Sequence, residues 1–160
     1  WEWGAKVGGH CWRTAGDLGF ELDRIFEVAI QNAAHRAWSG PGSWNDPDYL
    51  QIGYVGSAFT GGEPVPTPVS PRMQYVYMSL WSLMASPLFF SGDMNKLDAF
   101  TLNILCNNEV IEVNQDPLGQ SAALIPFDEE TFLGLMRVRG VECRSPERYA
   151  EAFYARKVVI

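Results

Sequence analysis

The chain contains two short polar stretches, WRTAGD at residues 12–17 and WNDPD at residues 44–48. Each combines an aromatic ring with carboxylates, and the first adds the guanidinium of Arg13. A helical pattern separates them over residues 21–38, with one apolar face predicted at Leu22, Ile25, Phe26, Ala29, Ile30 and Ala33. This order indicates two strand ends joined by a helix, the unit of a parallel α/β sheet.

The alternation continues downstream. Residues 53–70 hold three prolines and a Gly pair, which predicts a surface loop. Ser70 as an N-cap and Pro71 at the first helical position predict a helix that ends near residue 85. Its apolar face is predicted at Met73, Tyr77, Leu80, Trp81 and Met84. We also predict a buried strand at 88–90, helices at 98–106 and 109–113, a strand at 131–138 and a helix at 145–157.

Composition narrows the classes of partner. The formal net charge of the 160 residues is -7, which argues against nucleic acid and anionic membranes and suits a neutral substrate. No apolar run is long enough to predict a transmembrane helix. Three cysteines and two histidines lack metal-ligand spacing, so we expect small buried thiols, no metal and no cofactor. Because the chain begins at Trp1, we expect an excised segment of a longer protein.

Chemistry is expected where predicted strands end, since polar side chains at those ends share one edge of the sheet. Arg13 and Asp17 are four residues apart and could reach one ligand. A carboxyl group that acts as a general acid near neutral pH needs a raised pKa. An apolar side chain that excludes water from it, such as Trp12, could raise the pKa. The alternatives for Asp17 are an ion pair with Arg13 or an N-cap of the following helix.

Other candidates have equally ordinary alternatives. We expect only one of Asp46 and Asp48 to face a ligand, and Asx-type turns would explain both. Trp12 and Trp44 are the better candidates for stacking on a sugar, whereas Trp38 and Trp81 are expected in the core. Two further candidate carboxylates have simple structural explanations. Asp93 is predicted to cap a helix, and Asp116 is predicted to lie in a turn.

Taken in order, four segments resemble the retaining α-galactosidases and α-N-acetylgalactosaminidases. They are WGAKVG running into CWRT and Asp17, WNDPDYL at 44–50, MSLWSLMASPL at 78–88 and NQDPLG at 114–119. The resemblance implies the C-terminal part of a (β/α)8 TIM barrel over residues 1–119. It also implies the start of a β-sandwich, or an aberrant tail, over residues 120–160.

The resemblance implies hydrolysis of terminal α-D-galactosides with retention of configuration. Asp17 would be the general acid/base, Arg13 and Asp48 would hydrogen-bond the galactose, and Tyr49, often Met in relatives, would line the pocket. Together with Trp12, these residues form the predicted site. The substrate would be a small-molecule or oligosaccharide galactoside.

The family's nucleophile is an aspartate in a Lys-x-Asp context, and no segment here matches it. We therefore expect the 160 residues alone to be inactive. The alternatives are a non-catalytic carbohydrate-binding protein, or the same scaffold acting on α-N-acetylgalactosaminides, β-L-arabinopyranosides or α-glucans. Oligomeric state stays open, and a secreted, periplasmic or lysosomal location would each suit the parent protein.

Overall fold

The structure is a computed structural model that describes residues 1–56 and 62–122. Strands β1 (Cys11–Arg13) and β2 (Trp44–Asp46) pair in parallel, with Arg13 opposite Asp46. Helix α1 (Leu22–Ala34) connects them and is followed by a 3₁₀ turn at Arg36–Trp38. The predicted strand–helix–strand unit is thus confirmed, although the regular helix ends before residue 38.

The buried face of α1 matches the predicted one at three of its six residues, Ile25, Ala29 and Ala33. Leu22, Phe26 and Ile30 are exposed, and burial instead follows the three- and four-residue steps of Ile25, Val28, Ala29, Asn32 and Ala33. The buried face includes Asn32, a polar residue that the apolar pattern does not predict there. Its carboxamide accepts a hydrogen bond from Thr14 Oγ1 and donates one to Ser86 Oγ. A buried amide is tolerated when its hydrogen bonds are satisfied.

The predicted loop at 53–70 contains the two arms of a small antiparallel ladder, β3 (Tyr54–Val55) and β4 (Val65–Pro66). Helix α2 (Pro71–Leu83) begins as predicted, because Ser70 Oγ accepts the Met73 N–H and Pro71 occupies the first helical position. The predicted strand at 88–90 is reduced to one parallel bridge between Leu50 and Phe90.

Two short helices complete the described chain and confirm the predictions at 98–106 and 109–113. They are α3 (Ala99–Leu105) and α4 (Asn108–Asn114). Asp98 and Asn107 accept backbone N–H groups at their N-termini, as N-cap side chains do. Three predictions concern residues that the structure does not describe. They are the strand at 131–138, the helix at 145–157 and, apart from residues 120–122, the second domain at 120–160.

The core lies between α1, α2 and the chain that follows β2. Its largest fully buried side chains are Trp81, Tyr77, Ile25, Leu50, Ile52, Met84 and Ile104. Trp81 is therefore a core residue as predicted. Trp38 is not, since 38% of it is exposed and it meets only the edge of the His35 ring in the aromatic contacts of the described region.

The prediction of buried thiols is wrong for Cys11 and Cys106, which are both exposed. Cys11 lies on β1, and β1 pairs only with β2 among the described residues, so one edge of that strand is open. Cys143 lies outside the described residues. None of the described helices has the length and apolar character needed to cross a membrane.

Candidate active site

The structure brings three of the predicted site residues together at the carboxyl ends of β1 and β2. Arg13, the last residue of β1, contacts two carboxylates through Nη2: Asp48 Oδ2 at 2.9 Å and Asp17 Oδ1 at 3.4 Å. The same nitrogen donates to the Ala15 carbonyl at 3.3 Å. Arg13 therefore bridges the two stretches that the sequence singled out, as shared strand ends require.

Asp48 is the buried member of this cluster, with a side chain only 5% exposed. Its Oδ2 also accepts the Leu18 backbone N–H at 2.9 Å, and its Oδ1 accepts the Tyr49 N–H at 2.8 Å. The backbone of Asp48 has φ 104°, which an L-residue rarely adopts. The unusual backbone and the three hydrogen bonds together fix the direction of the carboxylate.

Asp46 plays a different part in the same loop. Its Oδ1 accepts the Asp48 backbone N–H at 2.8 Å, which closes an Asx turn across Pro47. The carboxylate of Asp46 is thus occupied in shaping the turn, whereas that of Asp48 faces Arg13. The two neighbouring carboxylates therefore have different partners, and only Asp48 contacts Arg13.

Asp17 is the exposed member, with 91% of its side chain accessible. It is not the N-cap of α1, because Glu21 occupies that position. The ion pair with Arg13, the other alternative raised by the sequence, is present. An exposed carboxylate can rotate toward a ligand. Among the described residues, no apolar side chains enclose the Asp17 carboxylate and exclude water from it.

Trp12 lies apart from the cluster. Neighbouring residues of a strand point to opposite faces, and the Trp12 indole N–H donates to Asn45 Oδ1 at 2.8 Å, away from Arg13. Its ring packs against the backbone of Gly4, where a side chain would collide with it. The structure therefore places the Trp12 ring on the other side of β1 from the Arg13 cluster, because neighbouring strand residues point to opposite faces.

Trp44 is also remote from the carboxylates. It begins β2, at the opposite end of the strand from Asp46, and packs near Pro41 and Gly119. The better placed aromatic residue is Tyr49, which directly follows Asp48 and is 50% exposed. Asp93 and Asp116 behave as predicted. Asp93 caps a 3₁₀ turn through the Asn95 N–H, and Asp116 accepts the Leu118 N–H in a turn.

Three groups that hold the Asp48 loop are absent from the sequence-based prediction. They are the Leu18 N–H, the Trp81 indole, which donates to the Asp48 carbonyl at 2.7 Å, and the Tyr77 hydroxyl, which donates to the Tyr49 carbonyl. Their separations of 28 or more residues from the loop leave no local signal. Among residues 1–56 and 62–122, no set of three His, Cys, Asp or Glu could hold a metal ion.

Burial raises the pKa of Asp46 above its ordinary value, and the nearby Asp48 charge adds to that effect, while the Asp48 N–H and Arg13 oppose it. A raised pKa in the folded state means that the folded protein holds the proton more tightly than the unfolded one. Stability therefore falls as pH rises from the ordinary aspartate range through the folded pKa, and the cost stays constant above it.

We expect Asp46→Asn to raise the midpoint of thermal unfolding at neutral pH, because an amide keeps the acceptor for the Asp48 N–H without the buried charge. The gain should shrink as pH falls through the raised pKa of folded Asp46 and should be absent below the ordinary aspartate range. Calorimetry of wild type and variant from pH 3 to pH 7 measures it. Asp23→Asn, at an exposed position of α1, is the control, and an equal gain in both variants would contradict the assignment.

A parallel α/β unit that gathers a guanidinium and two carboxylates at its strand ends is of the class whose sites lie at the carboxyl edge of the sheet. Comparison with known sequences gives the family. The profile of the melibiase family, described as alpha galactosidase A, matches residues 8–116. The chain belongs to this family.

Individual relatives agree with this membership. The chain is 38% identical over 136 residues to alpha-galactosidase 3 of Arabidopsis thaliana, covering 81% of this chain and 28% of that protein. It is 35% identical over 126 residues to alpha-N-acetylgalactosaminidase of Rattus norvegicus, covering 75% of this chain and 28% of that protein.

A solved structure agrees as well. The fold matches that of a Bacteroides fragilis protein assigned to the alpha-galactosidases/melibiases, with TM-score 0.71 and 38% identity over 80% of this chain and 28% of that one. The chain thus spans little more than a quarter of the length of these relatives. The α/β class is supported by this likeness, and the family resemblance inferred from the four sequence segments is confirmed.

Proposed function

We propose that the chain is the C-terminal part of a (β/α)8 barrel, running into a β-sandwich, in a retaining enzyme that hydrolyses terminal α-D-galactosides. The observation that carries the proposal is the cluster in which Arg13 bridges Asp17 and Asp48 at the ends of two parallel strands. Membership of the alpha galactosidase A family and the names of the relatives support the substrate class.

Arg13 and Asp48 have hydrogen-bonding capacity left for sugar hydroxyls. A carboxylate accepts about four hydrogen bonds, and Asp48 uses three, from Arg13, Leu18 and Tyr49. Within the described part of the chain, Nε and Nη1 of Arg13 make no hydrogen bond. A hydroxyl that donates to Asp48 and accepts from Arg13 would complete both groups.

Asp17 would carry the proton transfers. In the first step it gives its proton to the departing glycosidic oxygen, while a nucleophilic aspartate, supplied by polypeptide beyond these 160 residues, bonds to the anomeric carbon. In the second step ionised Asp17 takes a proton from water, whose oxygen displaces the aspartate from that carbon. Retaining enzymes hold their two carboxyl groups about 5–5.5 Å apart, and the exposure of Asp17 leaves it free to meet such a partner.

The stereochemistry of the first product tests this proposal. We expect the intact protein that contains this chain to release α-galactose from a 4-nitrophenyl α-galactoside, because two displacements restore the configuration. Proton NMR within the first minutes of reaction, before mutarotation, distinguishes the anomers. Release of β-galactose would contradict a retaining mechanism, and absence of turnover with retained galactose binding would favour a non-catalytic carbohydrate-binding protein.

An α-N-acetylgalactosaminide is a second candidate substrate, favoured by the 35% identity to the rat enzyme of that name. The same scaffold acting on β-L-arabinopyranosides is a third. Values of kcat/KM for the three aryl glycosides rank them directly, because the second and third candidates each differ from the α-galactoside at one ring position. We propose the α-galactoside as the preferred one.

A further inference from the structure

Two side chains of helix α2 donate hydrogen bonds to the loop that carries Asp48 and Tyr49. The Trp81 indole N–H donates to the Asp48 carbonyl at 2.7 Å, and the Tyr77 hydroxyl donates to the Tyr49 carbonyl. Both donors lie one turn apart on the same face of α2, both are fully buried, and their rings meet edge to face at 4.5 Å. Two consecutive carbonyls are thus bound by two consecutive turns of one helix.

The backbone that leads into the first of these carbonyls is unusual. Asp48 has φ 104°, a conformation that costs about 1–3 kcal/mol for a residue other than glycine and persists only where its surroundings impose it. The Asx turn from Asp46 acts on one side of Asp48. The two α2 donors act on the other side, so the strained conformation is fixed from both directions.

We propose that Tyr77 and Trp81 are positioning residues for the sugar site. By holding the carbonyls of Asp48 and Tyr49, they keep the Asp48 carboxylate on Arg13 and turn the Tyr49 side chain outward. This inference rests on the proposed function, because it assigns these two residues to the galactose-binding half of that site. They do not touch Asp17, the residue proposed for proton transfer.

The chemistry of Tyr77 suits this role. Burial, and secondarily the charge of Asp48, raises the pKa of its phenol well above the ordinary tyrosine value. The hydroxyl therefore stays protonated and remains a donor throughout the pH range in which a glycosidase works. Trp81 can only donate through its indole nitrogen, so its hydrogen bond to the Asp48 carbonyl does not change with pH either.

Tyr77→Phe tests the inference in the intact protein, because it deletes one hydroxyl and keeps the ring against Trp81. We expect Kd for free galactose, measured calorimetrically, and KM for an aryl α-galactoside each to rise roughly fivefold, the value of one ordinary hydrogen bond. The kcat should change less than twofold, since loss of binding shared by ground state and transition state leaves it unaltered. A matched control is Tyr75→Phe on the same helix, whose hydroxyl accepts from Asn103 instead. It should leave Kd, KM and kcat at wild-type values.

If Tyr77 acts on sugar binding through Asp48, its effect must depend on the Asp48 carboxylate. In an Asp48→Asn background the effect of Tyr77→Phe on Kd should largely disappear, because two changes that act through one group are not additive. Full additivity, or an unchanged Kd in the single variant, would overturn the inference.

A crystal structure of Tyr77→Phe gives a readout that needs no sugar. The Arg13 Nη2 to Asp48 Oδ2 distance is expected to exceed 2.9 Å, and an unmoved loop would overturn the inference. Failure of the proposed function looks different. The wild-type protein would then bind no galactose, whereas the response of the loop to the loss of the Tyr77 hydroxyl would still be seen in the crystal.

Discussion

Asp17→Asn is expected to lower kcat/KM for α-galactosides with poor leaving groups by about 10²–10⁴ in the intact protein, the usual contribution of a general acid. An amide has no proton to give to the departing oxygen. With a 2,4-dinitrophenyl leaving group, which departs as a stable anion without protonation, kcat/KM should stay close to the wild-type value. The ratio between the two substrates is therefore the measurement.

The second displacement adds an independent signature. Without a base to deprotonate water, the covalent intermediate accumulates, so kcat and KM for the activated substrate should fall together. Azide, a nucleophile that carries no proton to remove, should restore kcat and yield galactosyl azide.

Because Asp17 is exposed, its replacement should change the kinetics without changing the stability of the fold. With 91% of its side chain accessible, and with its contact to Arg13 at 3.4 Å, the substitution should leave folding nearly unchanged. Asp23→Asn, an exposed substitution on α1, is the matched control and should alter neither substrate's kinetics. Equal losses on both substrates, or none on either, would contradict the assignment of Asp17 and leave the ion pair as its only role.

Sequence reasoning predicted features that depend on local chemistry. Ser70 and Pro71 favour a helix start through their own chemistry, as an N-cap and as a first helical residue. The structure places the start of α2 there. Arg13 and Asp48 were assigned to neighbouring strand ends from the alternation of strands and helices. The parallel register of β1 and β2 then brings them to 2.9 Å. That juxtaposition follows from topology and needs no knowledge of side-chain packing.

Features that depend on distant partners were not predictable in this way. Asn32 lies in the core because Thr14 and Ser86 satisfy its amide, and neither partner is near it in sequence. Of the six residues that apolar periodicity predicts for the buried face of α1, only three are therefore buried. Trp12 was expected beside the carboxylates, but strand alternation and Asn45 take its ring to the other side of β1. The hydrogen bonds of Tyr77 and Trp81 to the loop were missed for the same reason.

Replacing Arg13 should have the largest combined effect on stability and function. Arg13→Gln leaves the Asp48 carboxylate buried without its cation, although the Leu18 and Tyr49 N–H groups remain. Loss of a hydrogen bond to a charged group costs about 1.5–3 kcal/mol, and the 36% exposure of the Arg13 side chain favours the lower end. Chemical denaturation should therefore show a lower free energy of unfolding, and galactose affinity should fall as well.

Stability alone does not show that Arg13 binds sugar, because an ion pair with a purely structural role gives the same loss. The double variant Arg13→Gln with Asp48→Asn separates the two. Removing both partners of a buried pair is far less costly than removing one, so much of the lost stability should return. Galactose affinity should stay low, since both groups proposed to hold the hydroxyls are changed.

Arg36→Gln supplies the control, because Arg36 is exposed and its described hydrogen bond is a 3.5 Å contact with the Ala33 carbonyl. It should change neither free energy of unfolding nor galactose affinity. Recovery of affinity along with stability in the double variant would assign the Arg13–Asp48 pair to folding alone. Recovery of stability without affinity supports direct binding of the sugar by these two side chains, because the protein is then stable yet fails to bind.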